Sequence, residues 1–134
     1  MSTRVQERFS PVPPQTRVFE ADRRMVYAAG QAAVKDIGLM LGRTSLTDGR
    51  IDAYAPIRAG DNLRDTRQTT MQVRFSEAVG GTEVALLVFE STEGNFPGGV
   101  SEQALRQHSL YVLYFSALEQ ALLKSAERES AGKP

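Results

Sequence analysis

The chain has 134 residues, of which 41% are hydrophobic and 24% are charged, ordinary proportions for one soluble globular domain. Its 16 basic and 16 acidic residues give a formal net charge of +0, so no overall field attracts nucleic acid or an anionic membrane. The sequence contains no cysteine, which excludes disulfides, thiolate nucleophiles and cysteine-ligated metals.

The location of the protein stays open at this point. No apolar run in the sequence approaches the roughly 18 residues that a membrane-spanning helix needs, and Met1 is followed directly by a polar segment without the features of a signal peptide. Either the protein is cytoplasmic, or the sequence is the soluble part of a chain whose export signal lies upstream.

The composition divides the chain into a domain between two tails. Residues 1–15 lack hydrophobic periodicity and carry Pro11, Pro13 and Pro14, which indicates an extended tail or tether. We expect a single domain over residues 16–125. The polar residues 126–134 are expected to form a disordered tail.

The domain begins with a strand and a helix. Residues 16–20 alternate in polarity and predict a short strand. An alanine-rich helix is predicted over about residues 22–37, because Asp22 can cap it and its apolar residues recur at helical spacing. Gly38 is suited to the left-handed position that ends many helices. Gly30 and the alanines near it are interpreted as packing closely on a sheet.

The Asp48-Gly49 pair predicts a tight hairpin between residues 39–46 and 50–57. Counting outward from this turn places Arg43 opposite Tyr54 on one face of the hairpin. The other face is expected to join the core through Leu46, Ile51, Ala53 and Ile57.

The stretch 69–90 predicts the central hairpin of the sheet, with a turn at Gly80-Gly81. Counting from the glycines pairs Phe75 with Leu86. The face that this register turns toward the core carries Met71, Val73, Phe75, Leu86 and Val88.

The opposite face of this hairpin is the least ordinary feature of the sequence. Gln72 and Arg74 lie there on the first strand, as expected for a solvated face. Ala85, Leu87 and Phe89 lie there on the second strand, which is therefore apolar on both sides.

The rest of the chain predicts a glycine-rich loop over residues 91–99 and a long amphipathic helix from Ser101 to about residue 127. The element order is strand, helix, four strands in two hairpins, and helix. We therefore predict an α+β fold, a two-layer sandwich of β-α-β-β-β-β-α order with both helices on one face of an antiparallel sheet.

Candidate catalytic and metal-binding groups are few. His108 is the only histidine and falls on the apolar side of the predicted last helix, which is typical of a core or boundary residue. Asp61 and Asp65 lie in a polar loop without the regular spacing of a calcium site. The glycines before Ser101 could hold an anion at a helix start, although ordinary capping explains them as well. No enzyme activity, cofactor or metal is predicted.

A surface remains as the candidate for function. If the two hairpins are neighbours, one sheet face carries aromatic and arginine side chains, which are common in protein interfaces. The same residue types also mark single-stranded nucleic-acid platforms, but the zero net charge argues against nucleic acid. Cover by the protein's own loops or tail is the remaining explanation. The residues are Arg43, Tyr54, Arg74, Leu87 and Phe89.

Four segments resemble the soluble domains of small bacterial cell-envelope lipoproteins. They are YAAGQAAVKDIG at 27–38, TSLTDGRIDAY at 44–54, MQVRF with GGTEVALLVF in the central hairpin, and LYVLYFSALEQAL at 110–122. The layout is also similar to the helix-grip domains of the outer-membrane assembly lipoprotein BamC and to that of the TATA-binding protein. The resemblance implies a non-catalytic, envelope-facing domain and carries no site residues; the lipidated cysteine is not in this sequence.

Two functional hypotheses follow. The first is a non-catalytic protein-interaction or self-association module, periplasmic or anchored at the outer membrane through a lipid on an upstream segment. The second is a small-molecule or lipid carrier with a pocket between the last helix and the sheet. That pocket would be lined by Met71, Tyr111, Tyr114 and Phe115.

Overall fold

The computed structural model describes residues 12–55, 66–93 and 100–131. The described residues form an open antiparallel sheet of six strands with two helices, so the predicted α+β two-layer architecture is confirmed. In chain order the elements are β1 (Gln15–Phe19), α1 (Arg23–Asp36), β2 (Met40–Ser45), β3 (Arg50–Tyr54), β4 (Thr66–Ala78), β5 (Gly81–Glu93), β6 (Val100–Leu105) and α2 (Ser109–Ala131).

Strand β5 lies beside β4 and is paired along both of its sides. The sheet has the order β1-β5-β4-β3-β2, and β6 also pairs with β5. β1 pairs with residues 82–86 of β5, and β6 pairs with residues 88–93. Two short strands therefore lie end to end along one edge. Where they meet, the Gln15 side chain donates a hydrogen bond to the carbonyl of Arg106 at 3.2 Å.

The central hairpin forms as predicted, but in a different register. Ala78 pairs with Gly81, so the turn is Val79-Gly80, and Phe75 pairs with Val84 instead of Leu86. The shift is two residues, and side chains alternate between faces with a period of two. The predicted core face is therefore correct: Met71, Val73, Phe75, Leu86 and Val88 are all buried.

The first hairpin departs further from its prediction. Ser45 pairs with Arg50, so residues 46–49 make a four-residue turn, and Leu46 is exposed in it. A bulge between Leu41 and Thr44 sets two residues of β2, Gly42 and Arg43, against the single residue Asp52 of β3. The predicted position of Arg43 opposite Tyr54 is therefore wrong, and Met40 pairs with Tyr54 instead.

Arg23 explains the wider turn. Its guanidinium donates hydrogen bonds to the carbonyls of Leu46 and Thr47, at 2.7 and 2.8 Å, and to that of Phe75 at 3.4 Å. Gly49 closes the turn with φ 65°, and a Cβ there would come within 2.3 Å of the Phe75 carbonyl oxygen. One arginine thus links the start of α1 to the β2–β3 turn and to strand β4.

Helix α1 follows its sequence signals. Asp22 caps it by accepting a hydrogen bond from the Met25 amide at 2.8 Å, and Gly38 follows it with φ 83°. Gly30 faces the sheet, because a Cβ there would come within 2.7 Å of the Phe75 ring and 2.8 Å of the Tyr114 hydroxyl. The packing interpretation of Gly30 is confirmed.

The start of the last helix was predicted wrongly. Val100–Leu105 is strand β6, paired with β5, and α2 begins at Ser109. Ala104 and Leu105 therefore belong to a strand instead of a helix face. The helix continues to Ala131, so residues 126–131 are helical where a disordered tail was predicted.

The two helices pack against each other and cover one face of the sheet. The core between the layers includes an edge-on contact between the Tyr27 and Phe75 rings, whose centroids are 5.5 Å apart. Among the described residues, no helix is both long and apolar enough to cross a membrane.

Candidate functional site

The sheet face turned away from the helices, here called the outer face, is ordered in rows that cross the strands. At one end lies the aromatic row, formed by Met40, Tyr54, Thr70, Phe89 and Ala104. The middle row is Asp52, Gln72 and Leu87. The arginine row follows, formed by Ser45, Arg50, Arg74, Ala85 and Thr16.

The aromatic row and its neighbour Leu87 form an apolar patch. Tyr54, Phe89 and Leu87 are half-buried, and Met40 is 48% exposed. The helices pack on the other face, so burial under the helices does not explain these side chains. An antiparallel sheet with one solvated face is normally polar on that face. The patch is therefore a candidate contact surface.

The arginine row concentrates positive charge. Arg50 and Arg74 are directly opposite each other on β3 and β4, an arrangement that is unfavourable for like charges. Asp52 accepts two hydrogen bonds from Arg50, at 3.1 and 3.0 Å, and this contact raises the pKa of the Arg50 guanidinium. Within the described part of the chain, Arg74 and Arg43 form no ion pair.

The structure brings together four of the five residues predicted for this surface. Tyr54 and Phe89 lie in the aromatic row, Leu87 in the middle row and Arg74 in the arginine row. Arg43 is exposed in the bulge of the edge strand β2, and no direct register partner on β3 places it in one of the three rows.

Two outer-face residues were missed by the sequence reasoning. Met40 joins the aromatic row through its pairing with Tyr54, which the wrong hairpin register concealed. Arg50 could have been found, because it directly precedes the buried Ile51 on β3 and alternation places it on the opposite face.

The four residues predicted to line a carrier pocket belong to the packed core and line no pocket among the described residues. Met71, Tyr111, Tyr114 and Phe115 are all buried members of the core between sheet and helices. The Tyr114 hydroxyl donates to the carbonyl of Gly30 at 3.1 Å, and burial raises the pKa of this phenol. These side chains fill the interior instead of lining an opening.

Tyr111 bonds to the backbone at the place where β6 and β1 meet along the edge of β5. Its hydroxyl accepts a hydrogen bond from the Val88 amide at 3.1 Å and donates one to the carbonyl of Leu105. Val88 and Leu105 are register partners, so the hydroxyl bridges the last pair of the β5–β6 ladder. It therefore satisfies backbone groups where β6 ends and β1 has not yet begun.

A groove of about 330 Å³ runs between the two helices on the side away from the sheet core. Its floor is alanine, with charged groups at Asp36 and Lys124. None of the predicted pocket residues lines it. The lining residues are Ala28, Ala29, Ala32, Asp36, Ala121, Lys124 and Ser125.

The remaining candidates for chemistry have structural explanations or lie outside the described residues. His108 Nδ1 accepts a hydrogen bond from the Leu110 amide at 3.0 Å, so the only histidine caps α2. Ser101 is in strand β6, so it neither caps a helix, as was preferred from the sequence, nor lies at a helix start that could hold an anion. Asp61 and Asp65 lie outside the described residues, among which no group of three or more metal-ligating side chains occurs.

Comparisons with known proteins add no family. No protein-family model matches the chain, and no curated protein matches it either.

Proposed function

We propose that this protein is a non-catalytic protein-interaction or self-association module that uses the outer face of its sheet as the contact surface. The main support for the proposal is that the helices cover only one of the two apolar faces of strand β5. Strand β5 is apolar on both sides, whereas the helices lie on only one of them.

The composition of the outer face supports binding to a protein. Aromatic residues and arginine are enriched at protein interfaces, and the energetically important contacts tend to cluster near the centre of the patch. Here Tyr54, Phe89 and Leu87 are grouped near the middle strands, with arginines beside them. Half-buried apolar side chains of this kind gain further burial when a second surface covers them.

We place this module in the bacterial cell envelope, either in the periplasm or anchored at the outer membrane. The support is the resemblance to envelope lipoprotein domains and the proline-containing segment before β1, which suits a tether. Fractionation of cells that express the native gene tests this: recovery with the envelope is expected, and recovery in the cytoplasm would contradict it.

The carrier hypothesis has weaker support. Its four lining residues are packed in the core, so a ligand there would have to displace side chains that already fill the space. The groove between the helices has a different lining, and its volume of about 330 Å³ is at the small end for ligand sites.

The double substitution Leu87→Ser and Phe89→Ser tests the proposed function. A matched control replaces two exposed apolar residues of α2, Val112→Ser and Leu123→Ser. Sedimentation velocity measures self-association, and cross-linking in the native extract followed by mass spectrometry measures other partners. We expect loss of association in the outer-face variant only, with its melting temperature close to that of the control.

The opposite pattern would overturn the proposal. If the outer-face variant loses much stability while its association is unchanged, the outer face is buried by the chain itself and is not a contact surface.

A further inference from the structure

The aromatic row and the arginine row lie at equal distances on either side of the middle row of the outer face. Along β3, Tyr54 and Arg50 lie two residues to either side of Asp52, and the registers extend this pattern across the sheet. The aromatic row and the arginine row are therefore placed symmetrically about the middle row.

A two-fold axis along the middle row exchanges the two outer rows between copies. It lies between two sheets packed face to face, which are about 10 Å apart in such arrangements. On β3 it places Tyr54 of one copy over Arg50 of the other. On β5 it places Phe89 over Ala85, and Leu87 over its own equivalent.

The contacts formed by this axis are chemically favourable. The planar guanidinium of arginine stacks on aromatic rings. Phe89 over Ala85 sets a large side chain against a small one, and Leu87 against Leu87 buries apolar surface at the axis. Arg74 lies over Thr70, between the two aromatic side chains of the other copy's row. In this arrangement Arg74 lies close to Tyr54 and Phe89 of the other copy.

We propose that the outer face binds a second copy of this chain through this two-fold arrangement. The inference rests on the proposed function, since it takes the outer face as the contact surface and names its occupant. A self-complementary patch is what a two-fold interface requires, because the same surface contributes both sides.

The charges on the outer face favour this axis over a two-fold axis that runs along strand β4. An axis along β4 would place Arg74 over Arg74, which repels. The axis along the middle row brings the two Asp52 side chains near each other, but each carboxylate is already bound by Arg50 of its own chain at 3.0 to 3.1 Å. The negative charge at the axis is therefore offset within each copy.

The size of the patch sets the expected strength. Five strands at about 4.8 Å spacing and three rows over five residues give a face of roughly 20 by 14 Å. A standard stable interface buries about 800 Å² per partner, so this contact is small. We expect a weak, reversible dimer, and the experiment is therefore performed on concentrated protein.

Because the chain has no cysteine, single cysteines can report the register of the two sheets. Thr70→Cys and Ala85→Cys lie in opposite outer rows on adjacent strands and remove neither an arginine nor an aromatic ring. One variant is isotopically labelled, the two are mixed, and a short bifunctional thiol reagent is added. The axis brings Cys at 70 of one copy close to Cys at 85 of the other, but keeps identical positions apart.

We expect labelled–unlabelled heterodimers in the mixture, several-fold above the dimers formed by either variant alone. A control mixture of Ala85→Cys with Val112→Cys on the exposed side of α2 gives the level of random collision. Heterodimers at this level would overturn the inference. Preferential linkage of Thr70→Cys to itself would overturn it as well, since that outcome identifies the axis along β4.

Failure of the inference is distinguishable from failure of the proposed function. If the cross-links stay at the collision level but Leu87→Ser with Phe89→Ser still abolishes association with another protein, the outer face is a contact surface with a different occupant. If that double variant leaves all association unchanged, the proposed function itself is wrong.

Discussion

The two faces of strand β5 have similar sequences and different surroundings. Val84, Leu86 and Val88 are 0% exposed between the sheet and the helices. Their neighbours Ala85, Leu87 and Phe89 are half-buried on the outer face. The inner residues explain how the domain folds. The outer residues add apolar surface that the two helices do not cover, and this is the reason to look for function there.

The largest expected effect comes from comparing two adjacent leucines. Leu86→Ala removes a fully buried side chain, and such changes cost about 2–5 kcal/mol of unfolding free energy. Leu87→Ala, on the outer face, should cost under about 1 kcal/mol if no other part of the chain covers it. Urea denaturation of dilute protein measures both. Equal costs would show that both faces belong to the core of the monomer.

The bridging hydroxyl of Tyr111 gives the next effect. Tyr111→Phe leaves the Val88 amide and the Leu105 carbonyl without their partner, which should cost about 1–3 kcal/mol. Hydrogen exchange should become faster at the Val88 amide and along β6, while the amides of α1 keep their protection. Unchanged exchange at Val88 would show that the ladder closes without the hydroxyl.

The stability of the protein at alkaline pH tests the burial of Tyr114 in the core. The pKa of Tyr114 is raised by burial, so the folded state keeps this proton after the unfolded state has released it. The stability contributed by the neutral phenol is fully present below the ordinary tyrosine pKa of about 10 and is lost as the pH rises above it. We expect Tyr114→Phe to flatten the decline in stability above this pH; an unchanged slope would assign the decline to other groups.

The smallest expected effect on stability is that of Arg74→Gln on the outer face. Removing one of two directly opposed arginines relieves repulsion, and the unfolding free energy should change by no more than about 0.5 kcal/mol. Association at high protein concentration should weaken, because the guanidinium that lies between the two aromatic side chains of the other copy is lost. Arg24→Gln, at an exposed position of α1, serves as the charge-matched control. Equal association of both variants would remove Arg74 from the interface.

The difference between the faces was predictable from the sequence, whereas several pairings were not. Alternation along 69–90 assigned Leu86 and Leu87 to opposite faces correctly, since an error of two residues in register leaves the faces unchanged. The bulge at Gly42 and Arg43 has no comparable local signal, and it changes which residues meet on β2 and β3.

Strand β6 shows a second limit of local patterns. In VSEQAL, the apolar residues are too few to distinguish a strand from the first turns of a helix. The pairing with β5 and the Tyr111 bridge decide the outcome, and both join residues that are distant in sequence. The arrangement of the outer face into rows depends on the same long-range pairings, so only its residue types could be predicted.

The central claim is that a second copy of this chain, and not another part of the same chain, covers the outer face. Covalent footprinting of the side chains of Tyr54 and Phe89, at increasing concentrations of purified protein, tests it most directly. We expect their labelling to fall as the concentration rises, while that of the exposed Val112 and Leu113 on α2 stays constant. Labelling of Tyr54 and Phe89 that is the same at all concentrations would contradict the claim.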